Sequence, residues 1–433
     1  MKASRVIVNI AMIFLIVFGW MEYFGDMGKT YEKYVALVNS ARNFAGQKLY
    51  VKATLSYIDA LSIKSSEETV WQELVDTSRM AYEEGSCALS SHISNLKSAC
   101  YSQPSNVSFW KELFSYIDQD AYSSESYECA NAAINFGVSD EEVINSAYKI
   151  IYSYHFKGSS YQQIITSPGG ETAVYTDNHW GMLNRDLEPI YPLSYNYISP
   201  YGSGEILLVT DKWSHIVDEE GIAQEVLSED IKQSHAYGNG YLPVFDGKES
   251  WYYIKSSDGS KSEKYEQASS FSNGYAAVKK NSVWSIVNTE FEPAGMTFDD
   301  IKLYANGEYQ YNGIFTASAN GRYSLYSKEG KEICGLSDAI DADIYMGDLV
   351  AYKAENGLWG YISGDGKIAI EPQFVEAKSF SGGLGAVKKG DKWGFINHTG
   401  RMVIDCQFSD VGYFIGKNCY VYLGEWQVIS LNG

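Results

Sequence analysis

The chain is poor in the residues that metal binding and redox chemistry use most. In 433 residues it has six cysteines, six histidines and eight prolines. No two cysteines form a CxxC pair, which excludes a zinc ribbon and a dithiol redox motif, and six thiols are too few for a disulfide scaffold. Cys87, Cys100, Cys129, Cys334, Cys406 and Cys419 are expected as free, mostly buried thiols. His92, His155, His179, His215, His235 and His398 show no ligand spacing. HExxH, GxSxG and GxGxxG are absent. Gly28-Lys29-Thr30 copies the end of a phosphate loop, but Tyr23 stands where the first glycine is required. Bases are outnumbered, 34 against 54 acids, for a net charge of −20. That excludes a nucleic-acid partner, because gripping a phosphate backbone takes clustered Lys and Arg. A composition 45% hydrophobic and 20% charged excludes a disordered chain.

Only one long apolar run exists. Val6 to Met21 carries no formal charge and follows Lys2 and Arg5. Counted on to Phe24 it reaches a marginal span, since a crossing helix takes ~20 apolar residues. The expected layout is a cytoplasmic tail at 1–5, a signal anchor at 6–24 and the bulk of the chain outside the cytoplasm, by the positive-inside rule. Trp20 and Tyr23 suit the interface. The alternative is a secreted protein whose signal is cleaved, for which Val17-Phe18-Gly19 is a poor site.

Residues 28–157 read as helices. Leu49, Ala53, Tyr57, Ala60 and Leu61 fall on one stripe at helical spacing, and Ser139 with Glu142 forms a capping-box pattern. Ala53, Tyr57 and Ala60, followed by Trp71 and Leu74, resemble a tetratricopeptide unit. The resemblance implies stacked helical hairpins that bind a peptide or dock a neighbour. The alternative is a plain helical spacer.

The strongest pattern lies in 161–433. Trp180, Trp213, Trp251, Trp284, Tyr323, Trp359, Trp393 and Trp426 recur with a period of ~35 residues. Each opens a short apolar strand, and six are followed seven or eight residues later by glycine. A small-apolar strand such as Ala276-Ala277-Val278 lies upstream, and a third such as Arg401-Met402-Val403-Ile404 follows. Each unit therefore reads as three antiparallel strands plus a short fourth piece, and eight such units bury their faces by stacking. The periodic aromatics are expected to be repeat core, because every unit needs the same large residue to fill the same gap.

The cores Trp359-Gly360-Tyr361-Ile362 and Lys392-Trp393-Gly394-Phe395-Ile396, with Glu371-Pro372-Gln373-Phe374 and Phe380-Ser381-Gly382-Gly383-Leu384, resemble the WG-repeat (KWG-repeat) family. Trp180-Gly181 keeps the dipeptide, whereas Ser214, Tyr252, Ser285, Ser324 and Gln427 replace the glycine elsewhere. The resemblance implies an architecture and not an activity. The fold class expected is thus α+β multidomain: an N-terminal transmembrane helix, a helical tetratricopeptide-like module at 28–157, and an all-β array of eight repeats at 161–433. A propeller-like ring is favoured, with an open β-solenoid as alternative. Tyr161 to Ser167 is strand-like and unassigned, so it could supply the strand missing from the last unit and close the circle.

Chemistry is thin. Asp341, Asp343 and Asp348 could hold calcium, against the alternative of ordinary turn carboxylates. Carboxylates facing each other across a ring mouth would be a glycosidase layout. Binding residues are sought in the long, tyrosine-rich segments: Tyr191, Tyr195, Tyr197 and Tyr201, and Tyr304, Tyr309 and Tyr311. The expected function is a non-catalytic, membrane-anchored scaffold that needs no cofactor and presents its repeats to a protein or a cell-envelope glycan. The alternatives are an envelope glycan hydrolase and a structural spacer.

Overall fold

The computed structural model describes residues 28–117, 123–202, 204–218, 223–227 and 231–433. The expected anchor at 6–24 lies outside them. No helix among the described residues is long and apolar enough to cross a membrane. The chain divides into a helical unit ending at Ser153 and a β unit running from Tyr154 to Asn432. Residues 154–157, which the sequence places in the helical module, belong to the first strand of the β unit.

The helical unit has α1 (28–46), α2 (Tyr50–Ile63), α3 (Glu68–Glu83), α4 (Leu89–Ser102), α5 (Val107–Tyr116), α6 (Ser124–Asn135) and α7 (Glu141–Ile151). Ala53, Tyr57, Ala60, Trp71 and Leu74 are all buried in one core. A second copy of this arrangement follows at a fixed offset. The Trp71 indole donates to the Ser65 carbonyl at 2.8 Å, and the Trp110 indole donates to Pro104, the equivalent carbonyl, at 3.0 Å. Leu96, Ala99 and Leu113 repeat the burial of Tyr57, Ala60 and Leu74. The capping box expected at Ser139 is not formed. Asp140 caps α7 instead, its carboxylate accepting from the Glu142 and Val143 amides, and a carboxylate also complements the positive helix start.

The β unit is a ring of small antiparallel sheets. Seven of the eight periodic aromatics lie in strands of different sheets, and Trp213 stands just before the strand Ser214–Val217 of its own. The expected array of eight equal blades is not what forms: the ring has seven full blades. Seven sheets are complete four-stranded ladders, whereas the one containing Trp251 is a two-stranded hairpin, Tyr241–Phe245 with Trp251–Lys255, flanked by isolated bridges at Ser234, Lys261 and Tyr265. An apolar seam fills each joint. Ala173 and Met182 meet Ile198 and Ile206, Trp284 meets Phe315, and Tyr361 meets Phe380.

The ring closes. Tyr154–Tyr161 pairs antiparallel with Trp426–Leu431, so the last sheet takes its outer strand from the start of the unit. The last sheet then packs on the first through Tyr161, Val174, Leu183, Tyr420 and Val428. Closure leaves no sheet face unpaired, which excludes the open solenoid. The closing strand lies earlier than expected. Gln163–Thr166 is instead the inner strand of the first sheet.

The glycine of the Trp-Gly pair has a physical cause here. In the three units that carry it, the ladder to the outer strand is interrupted between the tryptophan and the residue two further on. The outer strand bulges inward at that point. A Cβ on Gly394 would lie 2.5 Å from the Ile404 carbonyl oxygen, and one on Gly360 would lie 2.6 Å from that of Ile370. Where serine follows the aromatic, at Ser214 and Ser324, the ladder stays regular past that residue, and at Ser285 it is regular up to the serine and shifts after it. Glycine therefore marks a bulge that begins at the tryptophan, whereas with serine the irregularity starts later in the strand.

Candidate binding surfaces

The loops joining the first and second strands of the sheets converge at the ring axis. There, Ser167 and Pro168 of the first unit, Tyr304 of the fifth, Ile344 of the sixth and Tyr413 of the eighth enclose a cavity of only about 30 Å³. The loop of the fifth unit, 302–313, is longer than its counterpart at 269–274. Its extra residues act as a plug. Asn306 Nδ2 donates to the Tyr201 carbonyl at 2.9 Å, the Asn306 carbonyl accepts from the Ala236 amide at 2.8 Å, and that of Gly307 accepts from Ser270 at 2.8 Å. One loop thus ties the second, third, fourth and fifth units together.

The tyrosine-rich segments, in which binding residues are sought, are exposed only in part. Tyr304, Tyr309 and Tyr197 are buried. The Tyr304 hydroxyl donates to the Tyr345 carbonyl, and Tyr309 donates to that of Lys328 at 2.9 Å. Tyr197 accepts from the Ser234 amide at 2.8 Å and donates to its carbonyl at 3.1 Å. Buried phenols need such partners, and their positions in the ring supply them. Tyr191, Tyr195, Tyr201 and Tyr311 are half-buried. The structure does not gather the seven into one surface.

The carboxylates singled out for calcium do not converge either. Asp341 pairs with Lys302 at 2.8 Å, and Asp348 meets His398 Nε2 at 2.9 Å. Asp343 accepts from the Tyr413 hydroxyl at 2.7 Å and from the Ser379 amide at 2.7 Å. Its burial raises the carboxyl pKa, and the two bonds oppose that rise. Among the described residues no group of three or more His, Cys, Asp or Glu is placed to hold a metal. Nearer the axis, Glu308 accepts from Asn306 Nδ2 at 3.0 Å, and burial pushes its carboxyl up, with Glu171 adding to the rise. All six cysteines are free.

The repeat aromatics divide into two kinds. Trp251, Trp284, Tyr323 and Trp393 are buried, as a core position requires. Trp180, Trp213, Trp359 and Trp426 are partly open. Trp180 forms one wall of a groove of about 570 Å³, whose other residues include Asn196, Tyr197, Thr210, Asp211 and Lys232.

A second groove, of about 460 Å³, lies in the helical unit between the starts of α2 and α4. Val51, Leu55 and Ile58 form its apolar wall, and Ser90, Ser91, Ser94 and Asn95 its polar one. The apolar three follow helical spacing, and Leu55 is 57% exposed. Beneath this groove sits a polar cluster that the sequence pattern did not flag. Ser78 Oγ and His92 Nδ1 are 2.8 Å apart, and His92 Nε2 lies 3.3 Å from Glu112 Oε1, which also accepts from Arg79 Nε at 2.7 Å. Burial works to raise the Glu112 carboxyl, but His92 and Arg79 outweigh it and hold the pKa down. The order serine, histidine, glutamate resembles a nucleophile relay, yet Ser78 and His92 are buried and Ser78 Oγ donates to the Val75 carbonyl at 3.0 Å. The cluster is a tie between α3, α4 and α5. His92 occupies the place of Ala53 in the preceding copy, and that swap of a small residue for a large polar one was its signal in the sequence.

Against known proteins, no curated protein matches this chain. The crystal structure of BamB from Moraxella catarrhalis aligns at 12% identity and a TM-score of 0.43, over 64% of this chain and 100% of that one. The C-terminal WD40 domain of Sif2 aligns at 11% identity and 0.40, over 65% and 99%. Scores this low carry no weight for function, and the ring rests on its own ladders. The family model of the WG containing repeat matches residues 264–284, 359–393 and 393–422. The C-terminal part of this chain carries WG-containing repeats.

Proposed function

We propose that the protein is a non-catalytic, protein-binding scaffold, held at a membrane by residues 6–24, in which a rigid WG-repeat ring accompanies a helical module that docks a partner protein. The observation that carries this reading is the apolar stripe Val51, Leu55 and Ile58 over an open groove. Such a stripe at helical spacing suits an amphipathic segment of another protein. WG repeats and closed β-rings suit interaction in general, which agrees with it.

The hydrolase reading has one observation behind it, the raised carboxyl of Glu308 near Glu171. The neighbouring axial cavity of about 30 Å³ has room for water and not for a sugar ring. The scaffold reading is therefore preferred.

The test uses the full chain in detergent, with Leu55→Asp and Ile58→Asp together. Affinity capture from envelope extract should enrich a protein with wild type and lose it with the double variant, while the thermal transition of the ring stays in place. Equal capture by both, or hydrolysis of an envelope glycan abolished by Glu308→Gln, overturns the reading.

A further inference from the structure

The groove beside Trp180 has the make-up of a saccharide site. Trp180 stands in the third strand of the first sheet, and its indole is held from two sides. Tyr175 lies 5.2 Å away, centroid to centroid, and Tyr197 packs edge-on at 6.1 Å. The ring is thus a fixed platform rather than a mobile side chain. Its N–H has no acceptor among the described residues. Trp251, Trp284 and Trp393, at the same place in their own repeats, are buried.

Opposite the indole, Asn196 Nδ2 donates to Asp211 Oδ1 at 2.6 Å. That bond orients the pair and leaves Asp211 Oδ2 and Asn196 Oδ1 without protein partners among the described residues. Both residues line the groove and are exposed, so two acceptors are open to hydroxyl donors. The groove volume, about 570 Å³, falls in the range of ~300–1,000 Å³ usual for small-ligand sites.

We propose that this groove binds a neutral saccharide unit of a glycan, one apolar C–H face stacked on Trp180 and neighbouring hydroxyls donating to Asp211 and Asn196. Asp211 and Lys232 both line the groove, so the formal charges of its lining balance, which suits a neutral sugar. A peptide is the poorer fit. Val209 and Ile231 are buried beneath the groove and offer no open apolar pocket for a side chain to enter. This site is separate from the helical groove and does not rest on the scaffold reading.

The experiment titrates the full chain in detergent with N,N′-diacetylchitobiose, cellobiose and maltose, read by tryptophan fluorescence and saturation-transfer NMR. At least one probe should saturate. Asp211→Ala and Trp180→Ala should each weaken it by about tenfold or more, and Trp180→Phe should keep most of the binding. Asp211 is exposed, so its variant tests the site without risk to the fold. The Leu55 and Ile58 variant should titrate like wild type, which separates failure here from failure of the scaffold reading. Absence of saturation with all three probes overturns the proposal, as does an Asp211→Ala variant that binds like wild type. A Trp180→Phe variant as weak as Trp180→Ala also overturns it.

Discussion

Replacing Gly394 with alanine isolates the reason for glycine after the repeat tryptophan. Gly394 does not adopt a positive φ, so alanine meets no backbone penalty and the effect is one of space alone. The new methyl would lie 2.5 Å from the Ile404 carbonyl oxygen and 2.7 Å from the Cys406 amide nitrogen. Ordinary contact begins at 3.4 Å, so the outer strand has to retreat by nearly an ångström. It is not free to do so, because Trp393 pairs with Phe408 and Phe395 with Ile404 on either side of the bulge. Overfilling a packed site costs ~1–3 kcal/mol, and a strained ladder bond adds ~1 kcal/mol. The expected loss is ~2–4 kcal/mol, or a fall in Tm of roughly 5–10 °C on the usual scaling. Gly360→Ala should behave alike, its nearest atom being 2.6 Å away, and Gly181→Ala less severely, at 3.0 Å. Ser324→Ala, where the ladder is regular through Leu325, should cost no more than ~1 kcal/mol. Thermal and urea unfolding followed by circular dichroism read the series. A Gly394→Ala protein as stable as wild type, or a Gly181→Ala protein worse than both others, refutes the bulge as the cause.

Two further outcomes are expected. His235 stacks on Trp251 at 4.0 Å and is partly buried, and desolvation pulls its pKa down to about 4, partly opposed by the bond to the Ala268 carbonyl. The unfolded imidazole binds its proton near 6.5, so the stability due to neutral His235 is complete above that pH. It drains away as pH falls from 6.5 towards 4, by up to ~3 kcal/mol. Urea midpoints across that window should fall in wild type and flatten in His235→Phe, and equal slopes in both would count against it. Asn306→Ala should cost ~1 kcal/mol by removing the bond to the Tyr201 carbonyl and loosening the plug. Hydrogen exchange should then rise in the loops carrying Ala236 and Ser270, and unchanged exchange there would show that the plug is not held by this side chain.

The repeat period was legible because packing imposes it. A ring built from similar sheets needs a similar bulky residue at each joint, and Trp284, Tyr323 and Trp393 are buried as that logic demands. The helical copies were legible for the same reason: Ala53, Tyr57 and Ala60 must be small, large and small for neighbouring helices to approach. Closure was read in kind and missed in place. Tyr154 to Tyr161 contains Lys157, Gly158, Ser159 and Ser160, which lack strand character, and pairing with an existing edge at Trp426–Leu431 overrides that weak propensity. The unequal third sheet was also hidden, because Trp251 and its strand are intact and only the partners beyond it are irregular.

The tyrosine-rich loop shows why the site was harder to read than the fold. Length and tyrosine content alone do not say whether a loop points outward to a ligand or inward to the axis, since a phenol serves either way once its hydroxyl has a partner. What decides is the unmet hydrogen-bonding of the surroundings. The Ala236 and Ser270 amides and the Tyr201 carbonyl come from three different units and face one point, and the Asn306–Gly307 step is the segment that satisfies all three. Gly307 is required there because a Cβ would strike the His235 ring at 2.0 Å. The same reasoning run the other way points to Trp180 and Asp211. There the ring leaves an indole donor and two acceptors open at a groove, and a polyhydroxylated ligand of the kind proposed would carry both the donors and the acceptor to match them.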